Sequence, residues 1–231
     1  MSSSARWSIV AVIVVAALVA ALWSTLGSSE QEQPANDAGP AAPGSSGGVT
    51  PGPYRPADAA LRSEVGLPSC PAGQAAGEDA APDAAADAGP LGAVSLVCMA
   101  DGEEKTFAEI AAGKPTLINL WAYWCEPCRR ELPALRDAQE ELGDSAQIVL
   151  VHADPDEAKG LKMLQELGVT ELPSLVDAGG DIAEAAGAPP VLPVNILVAP
   201  DGTVAKVLPQ LMRGPEDVVD AVDTYLGQGV S

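Results

Sequence analysis

Aromatic residues are scarce: four Trp, three Tyr and one Phe in a chain of 231 residues. Any core must therefore be mostly aliphatic. Histidine occurs once, which excludes multi-histidine metal sites, and the four cysteines are not spaced as a Cys/His zinc signature. Basic residues are few as well, 12 Lys and Arg against 32 Asp and Glu, giving a net charge of −20. Such a chain cannot neutralise a run of phosphates, so nucleic acid is excluded as a partner. Yet 47% of the residues are hydrophobic, so the apolar residues must be concentrated. The rings are unevenly placed too: Trp7 and Trp23 share one stretch, and Trp121, Tyr123 and Trp124 share another.

Residues 7–26 (WSIVAVIVVAALVAALWSTL) carry no charge over 20 positions. At about 1.5 Å per residue, a helix of that length spans roughly the 30 Å of a bilayer core. A tryptophan near each end suits the headgroup level. Arg6 precedes the run and Glu30 and Glu32 come after it, an asymmetry that places the N-terminus inside and the remainder outside. Residues 1–29 are thus expected to form a transmembrane anchor. A cleaved signal peptide is the competing reading, and both export the rest of the chain.

Residues 30–66 are dominated by Gly, Pro, Ser and Ala. They are expected to be a disordered linker, because such composition offers too little apolar surface to offset ordering entropy. Residues 67–90 form an extension that contains Cys70 and a low-complexity patch. Residues 91–231 form the expected folded domain, long enough to bury a proper core.

Within that domain the segments alternate. An apolar run over 94–99 precedes an Asp101-Gly102 turn, and a short helix is expected over 106–112. Strands are expected over 116–121 and 147–152, and helices over 125–142 and 156–167. A short strand (174–177) and a small helix (182–186) come next. Two strands, 194–198 and 203–208, flank Asp201-Gly202 as a hairpin, and a helix over 216–226 closes the chain. This order predicts a three-layer α/β/α fold with a mixed central sheet.

The strongest chemical signal is Trp124-Cys125-Glu126-Pro127-Cys128, where strand gives way to helix. Cysteines at i and i+3 fall within one helical turn, close enough for a small disulfide ring. Cys125, at the helix N-terminus, has unpaired amides and the positive dipole end to stabilise a thiolate, and is the expected attacking thiol. Cys128, a turn deeper, is the expected resolving thiol. Pro127 is tolerated there because its missing N–H would have no partner in a first turn. The alternative, half of a zinc site or a structural loop, lacks a second ligand pair.

The segment NLWAYWCEPCRRELP, with VLPVNILVAPDG downstream, resembles the thioredoxin superfamily, in particular the TlpA/ResA-like branch of membrane-anchored thiol–disulfide oxidoreductases. The resemblance covers about residues 91–228 and implies a thioredoxin-like fold. It implies that Cys125 and Cys128 are the redox pair, with Trp124 before them. It also implies that Pro193 is the cis-proline beside the disulfide, with Leu192 and Val194 in contact with substrate. A trans proline at a strand entry is the alternative for Pro193. Val194 departs from the threonine common at that position. Asn119 stands where thioredoxin has a buried acid, as in the TlpA/ResA branch, and its alternative role is to satisfy backbone near the sheet. Glu131 matches a glutamate near the redox site, where burial would raise its pKa into a useful acid/base range. Its alternative is an exposed glutamate pairing with Arg129 or Arg130.

Cys70 and Cys98 are left over. In an exported chain an even cysteine count points to a structural bridge between them, and LPSCP…LVCM also looks like actinobacterial members of the TlpA group. Free thiols, or a relay to Cys125, are the alternatives. His152 reads as a strand-end residue rather than a base or metal ligand. No metal and no cofactor beyond the redox-active disulfide is expected. The resemblance implies oxidised protein thiols as substrate, apocytochrome c among them, and a membrane electron donor of the CcdA/DsbD type. An oxidase or isomerase of exported proteins, and a thiolate copper chaperone, are the competing functions.

Overall fold

The computed structural model describes residues 52–71 and 89–227. The expected anchor (1–29), most of the expected linker and the patch at 72–88 lie outside the described residues. Among the described residues no helix is long and apolar enough to cross a membrane.

Seven strands form one sheet: β1 (Ser95–Cys98), β2 (Glu104–Thr106), β3 (Thr116–Trp121), β4 (Gln147–His152), β5 (Ser174–Val176), β6 (Val194–Val198) and β7 (Val204–Leu208). Their order is β2-β1-β5-β4-β3-β6-β7. The central β3, β4 and β5 run parallel, and every other pairing is antiparallel. The sheet is therefore mixed, as the alternation of segments predicts.

β3, β4 and β6 carry almost continuous apolar runs because both faces of the sheet are covered. Alternate residues go to opposite layers. Leu117, Trp121, Ile148, Leu150 and Leu197 pack in one core layer; Ile118, Leu120, Val149, Val151, Val194 and Ile196 pack in the other. The first layer is covered by α3 (Glu126–Leu142), α4 (Glu157–Leu167) and α6 (Pro215–Tyr225), through Leu132 and Leu135, Leu161 and Leu164, and Val218 and Val222. The second is covered by α2 (Phe107–Ala111) and α5 (Asp181–Ala185), through Phe107, Ile110 and Ile182. A full capping box fixes the start of α2: Thr106 caps the Glu109 amide, and Glu109 reaches back to the Thr106 amide.

The expected linker over 30–66 needs correction at its C-terminal end. Ala59–Val65 is a helix, α1, capped by the Asp58 carboxylate at the Leu61 amide and ended by Gly66 in the left-handed conformation. Ala57, Val65 and Leu67 are buried in the first core layer. Residues 52–71 are thus a strap laid over the domain. The strap holds because its polar groups find partners about 100 residues downstream. The Glu157 carboxylate, fully buried, accepts hydrogen bonds from Tyr54 Oη, the Ala57 amide and the Arg62 guanidinium. The Arg55 amide donates to Pro155 O at 2.8 Å, and the Glu157 amide donates back to Arg55 O. At its far end the strap is closed by a Cys70–Cys98 disulfide onto the end of β1, with Cα atoms 5.9 Å apart.

Candidate redox site

β3 ends at Trp121, and the chain makes a tight turn in which the Cys125 amide donates to Ala122 O at 3.0 Å. Cys125 is the N-cap of α3, extended in backbone (φ −85°, ψ 99°), and its Sγ accepts from the Cys128 amide at 3.2 Å. The two cysteines form a disulfide with Cα atoms 5.3 Å apart. Cys128 is fully buried and Cys125 is 5% exposed, so the sulfur nearer the surface is also the one at the helix N-terminus. That end concentrates unpaired amides and positive dipole, which favours a thiolate on Cys125 when the pair is reduced.

Trp124 stands 38% exposed beside Cys125, and its indole N–H donates to Asp154 Oδ2 at 2.9 Å. The Tyr123 amide donates to His152 Nε2 at 3.3 Å, and Lys159 Nζ donates to Tyr123 Oη at 3.2 Å. The end of β4, the loop after it and α4 thus hold the two residues that precede the nucleophile. The surface cations of the motif are not all free to favour a thiolate, since Arg129 pairs with Glu166.

Glu131, one turn beyond Cys128, is fully buried, which overturns the alternative of an exposed glutamate pairing with Arg129 or Arg130. Its Oε1 accepts from Asn195 Nδ2 at 2.8 Å and from the Met212 amide at 2.7 Å. Its Oε2 accepts from Asn119 Nδ2 at 2.8 Å. Burial raises the Glu131 pKa, and the three donors only partly oppose it by stabilising the charged form. Asn119 therefore serves side chains rather than backbone: its Nδ2 also donates to Asn195 Oδ1, while its own Oδ1 is buried without a partner among the described residues. Asn119 and Asn195 lie opposite one another in the β3–β6 register.

The Leu192–Pro193 bond is cis. Pro193 directly precedes β6, whose Val194 pairs with Leu120 near the end of β3. It therefore lies at the end of the sheet from which the redox turn departs. Leu192 lines a cavity of about 210 Å³ with Leu120, Ala153, Pro190 and Val191. Val194 is fully buried, backbone included, so the structure does not offer it to a substrate as the resemblance implies. Cys70 and Cys98 belong elsewhere: both are buried, they bond to each other, and neither thiol is available as a relay. Among the described residues, no three His, Cys, Asp or Glu side chains are grouped to hold a metal ion.

Sequence reasoning missed Asn195, Met212, Asp154 and the contact between His152 and Tyr123. Only Asn195 carried a signal, as a polar residue inside an apolar strand buried on both faces.

A family model described as AhpC/TSA family matches residues 78–207. The chain belongs to the AhpC/TSA family. As a member of it, the chain is similar to the thioredoxin-like protein YneN of Bacillus subtilis (strain 168), 38% identical over 80 residues, which are 33% of this chain and 46% of that protein. It is also similar to the thiol-disulfide oxidoreductase ResA of Halalkalibacterium halodurans, 30% identical over 108 residues, covering 46% and 60% of the two chains. With ResA of Bacillus subtilis it is 29% identical over 97 residues, covering 42% and 53%. The chain thus spans about half to three-fifths of the curated relatives it matches. Among solved structures, DsbF of MTB in its mixed oxidised and reduced forms superposes with a TM-score of 0.52 at 22% identity, covering 59% of this chain and 96% of that one. The AhpC/TSA-family chain therefore has the thioredoxin-like fold.

Proposed function

We propose that the chain is a thiol–disulfide oxidoreductase that works outside the cytoplasm, as a reductase of oxidised protein cysteines. The observation that carries this reading is the bonded pair Cys125–Cys128 at the N-terminus of α3, with the outer sulfur at the helix end. The named ResA relatives support it, and so does the apolar stretch at 7–26 as an anchor.

In the reduced form the Cys125 thiolate attacks one sulfur of a substrate disulfide. That S–S bond breaks, a mixed disulfide forms, and the departing substrate sulfur takes a proton. Cys128 loses its proton and attacks Cys125 Sγ, which closes the ring and releases the second substrate thiol. Two electrons pass from the dithiol to the substrate, and the disulfide is the only redox group the step uses. Glu131, one turn along α3 from Cys128, is our choice for the group that takes the Cys128 proton, and the upward shift of its pKa by burial supports that choice. Trp124 and Leu192 form the accessible surface that receives the substrate, with Pro193 and Val194 buried behind it. A membrane donor of the CcdA/DsbD type would restore the dithiol, and apocytochrome c is the destination that the resemblance to the TlpA/ResA branch implies.

The test is the reduction potential of the pair together with Cys128→Ser, which removes the resolving thiol. A value near −270 mV with trapped mixed disulfides is the expected result, whereas one near −120 mV would assign the site to oxidation instead.

A further inference from the structure

His152 is the single histidine of the chain and lies at the end of β4, fully buried. Its ring packs on Trp121, with centroids 4.7 Å apart, and lies 6.1 Å from the Tyr123 ring. The backbone fixes it from both sides. Trp121 is its register partner in β3, and the Asp177 amide donates to His152 O at 3.0 Å. Space for the imidazole is left by Gly160 in the middle of α4: a Cβ there would come within 3.1 Å of His152 Cε1 and Nδ1. A glycine in a helix interior costs about 1 kcal/mol against alanine, and here it leaves room for the ring.

Among the described residues the ring makes one hydrogen bond, accepted by Nε2 from the Tyr123 amide, while Nδ1 is buried with no partner. Tyr123 is the first of the two residues between Ala122 and Cys125 in the turn that delivers the nucleophile. A neutral imidazole that accepts at Nε2 must carry its proton on Nδ1. We propose that His152 is a positioning residue for the redox turn: its neutral imidazole holds the Tyr123 amide and thereby fixes the geometry in which Cys125 is presented. The inference rests on the redox reading of Cys125 and Cys128.

The surroundings keep the ring in the state this needs. Burial lowers its pKa to about 4, against the pull of Asp154, Asp156 and Glu157. Of these, Asp154 accepts from the Trp124 indole and the Asp156 amide, Glu157 is engaged by Arg62, and Asp156 by Lys159 and Arg55, so none is free to hold an imidazolium alone. Lys159 also faces the Tyr123 ring and hydroxyl, which keeps a cation close to the far side of the turn.

A chain with one histidine gives a single set of imidazole ¹⁵N resonances, so the wild-type protein provides a direct test. The expected spectrum at neutral pH has Nδ1 protonated and Nε2 bare; an Nε2–H tautomer would overturn the proposal. Two variants provide the functional test. His152→Leu removes the acceptor, and His152→Gln returns one at about the reach of Nε2. The expected result is about a tenfold slower reduction of insulin disulfides by His152→Leu, with a changed Cys125 thiol pKa and rate largely restored in His152→Gln. A His152→Leu protein with wild-type rate and thiol pKa would contradict the proposal. So would a folded His152→Gln protein as slow as His152→Leu or, where His152→Leu does not fold, about tenfold slower than wild type. Absence of insulin reduction by reduced wild-type protein would instead overturn the redox reading itself.

Discussion

The Arg62 guanidinium meets both carboxylate oxygens of Glu157, Nε to Oε1 at 2.9 Å and Nη2 to Oε2 at 2.7 Å. The pair joins the strap to the first turn of α4. Tyr54 Oη and the Ala57 amide complete the shell around a carboxylate that has no solvent access. Arg62→Ala would leave that carboxylate buried without its cation, a loss of about 3–5 kcal/mol. Urea unfolding should show it, and the double variant Arg62→Met/Glu157→Met should lose far less than the sum of its parts. A loss below about 1 kcal/mol for Arg62→Ala would mean the strap is not held by this pair.

Closing the 28-residue separation between Cys70 and Cys98 is expected to contribute about 3–4 kcal/mol on the chain-entropy account. The double variant Cys70→Ala/Cys98→Ala should unfold at correspondingly lower denaturant while its folded form reduces disulfides at the wild-type rate. Loss of exchange with the fold intact, monitored by circular dichroism alongside turnover, would contradict a purely structural bridge.

Asp154 holds the Trp124 indole at the edge of the site. Because the indole is part-exposed, losing the bond should cost stability only about 1 kcal/mol. Its effect on turnover should be larger, since Trp124 precedes the nucleophile. Asp154→Ala is expected to slow exchange and alter tryptophan fluorescence, whereas Asp154→Asn keeps a carbonyl acceptor and should recover most of the rate. Equal rates for Asp154→Ala and wild type would show that the indole contact has no bearing on exchange.

Stability should also depend on His152 through pH. Its pKa is about 4 when folded, below the value near 6.5 of an unfolded histidine, so between those values the unfolded chain binds more protons. The contribution is therefore complete above about pH 6.5 and is lost as pH falls toward 4, in total about 3 kcal/mol. Glu131 and Asp177, both raised by burial, act in the opposite sense and flatten the profile of the whole protein. The difference between wild type and His152→Gln isolates the histidine, and that difference should widen in favour of wild type as pH rises through this window. A difference independent of pH would sink the assignment.

The redox turn was legible in the sequence because its information is local: five consecutive residues, a preceding apolar strand and a helix start. Helix ends were legible within a residue for the same reason, and α3 begins at Glu126 rather than Cys125 because Cys125 serves as the cap. The carboxylate cage was only half legible. Glu131 can be placed from its spacing along α3, but its partners depend on a β3–β6 register that sets Asn119 against Asn195, a relation between positions 76 residues apart. The strap was misread for a related reason. Its Ala- and Pro-rich composition resembles a tether, and although Asp58 and Gly66 are helix start and stop signals, the helix between them has only seven residues. What orders it is Glu157, and no window of local sequence contains both.

The strap also brings a distant part of the chain to the rim of the redox site. The described chain begins at Gly52, whose position lies against Pro155, next to the Asp154 that binds Trp124. The strap therefore starts its path over the domain at the rim beside the nucleophile and not at the opposite pole of the sheet.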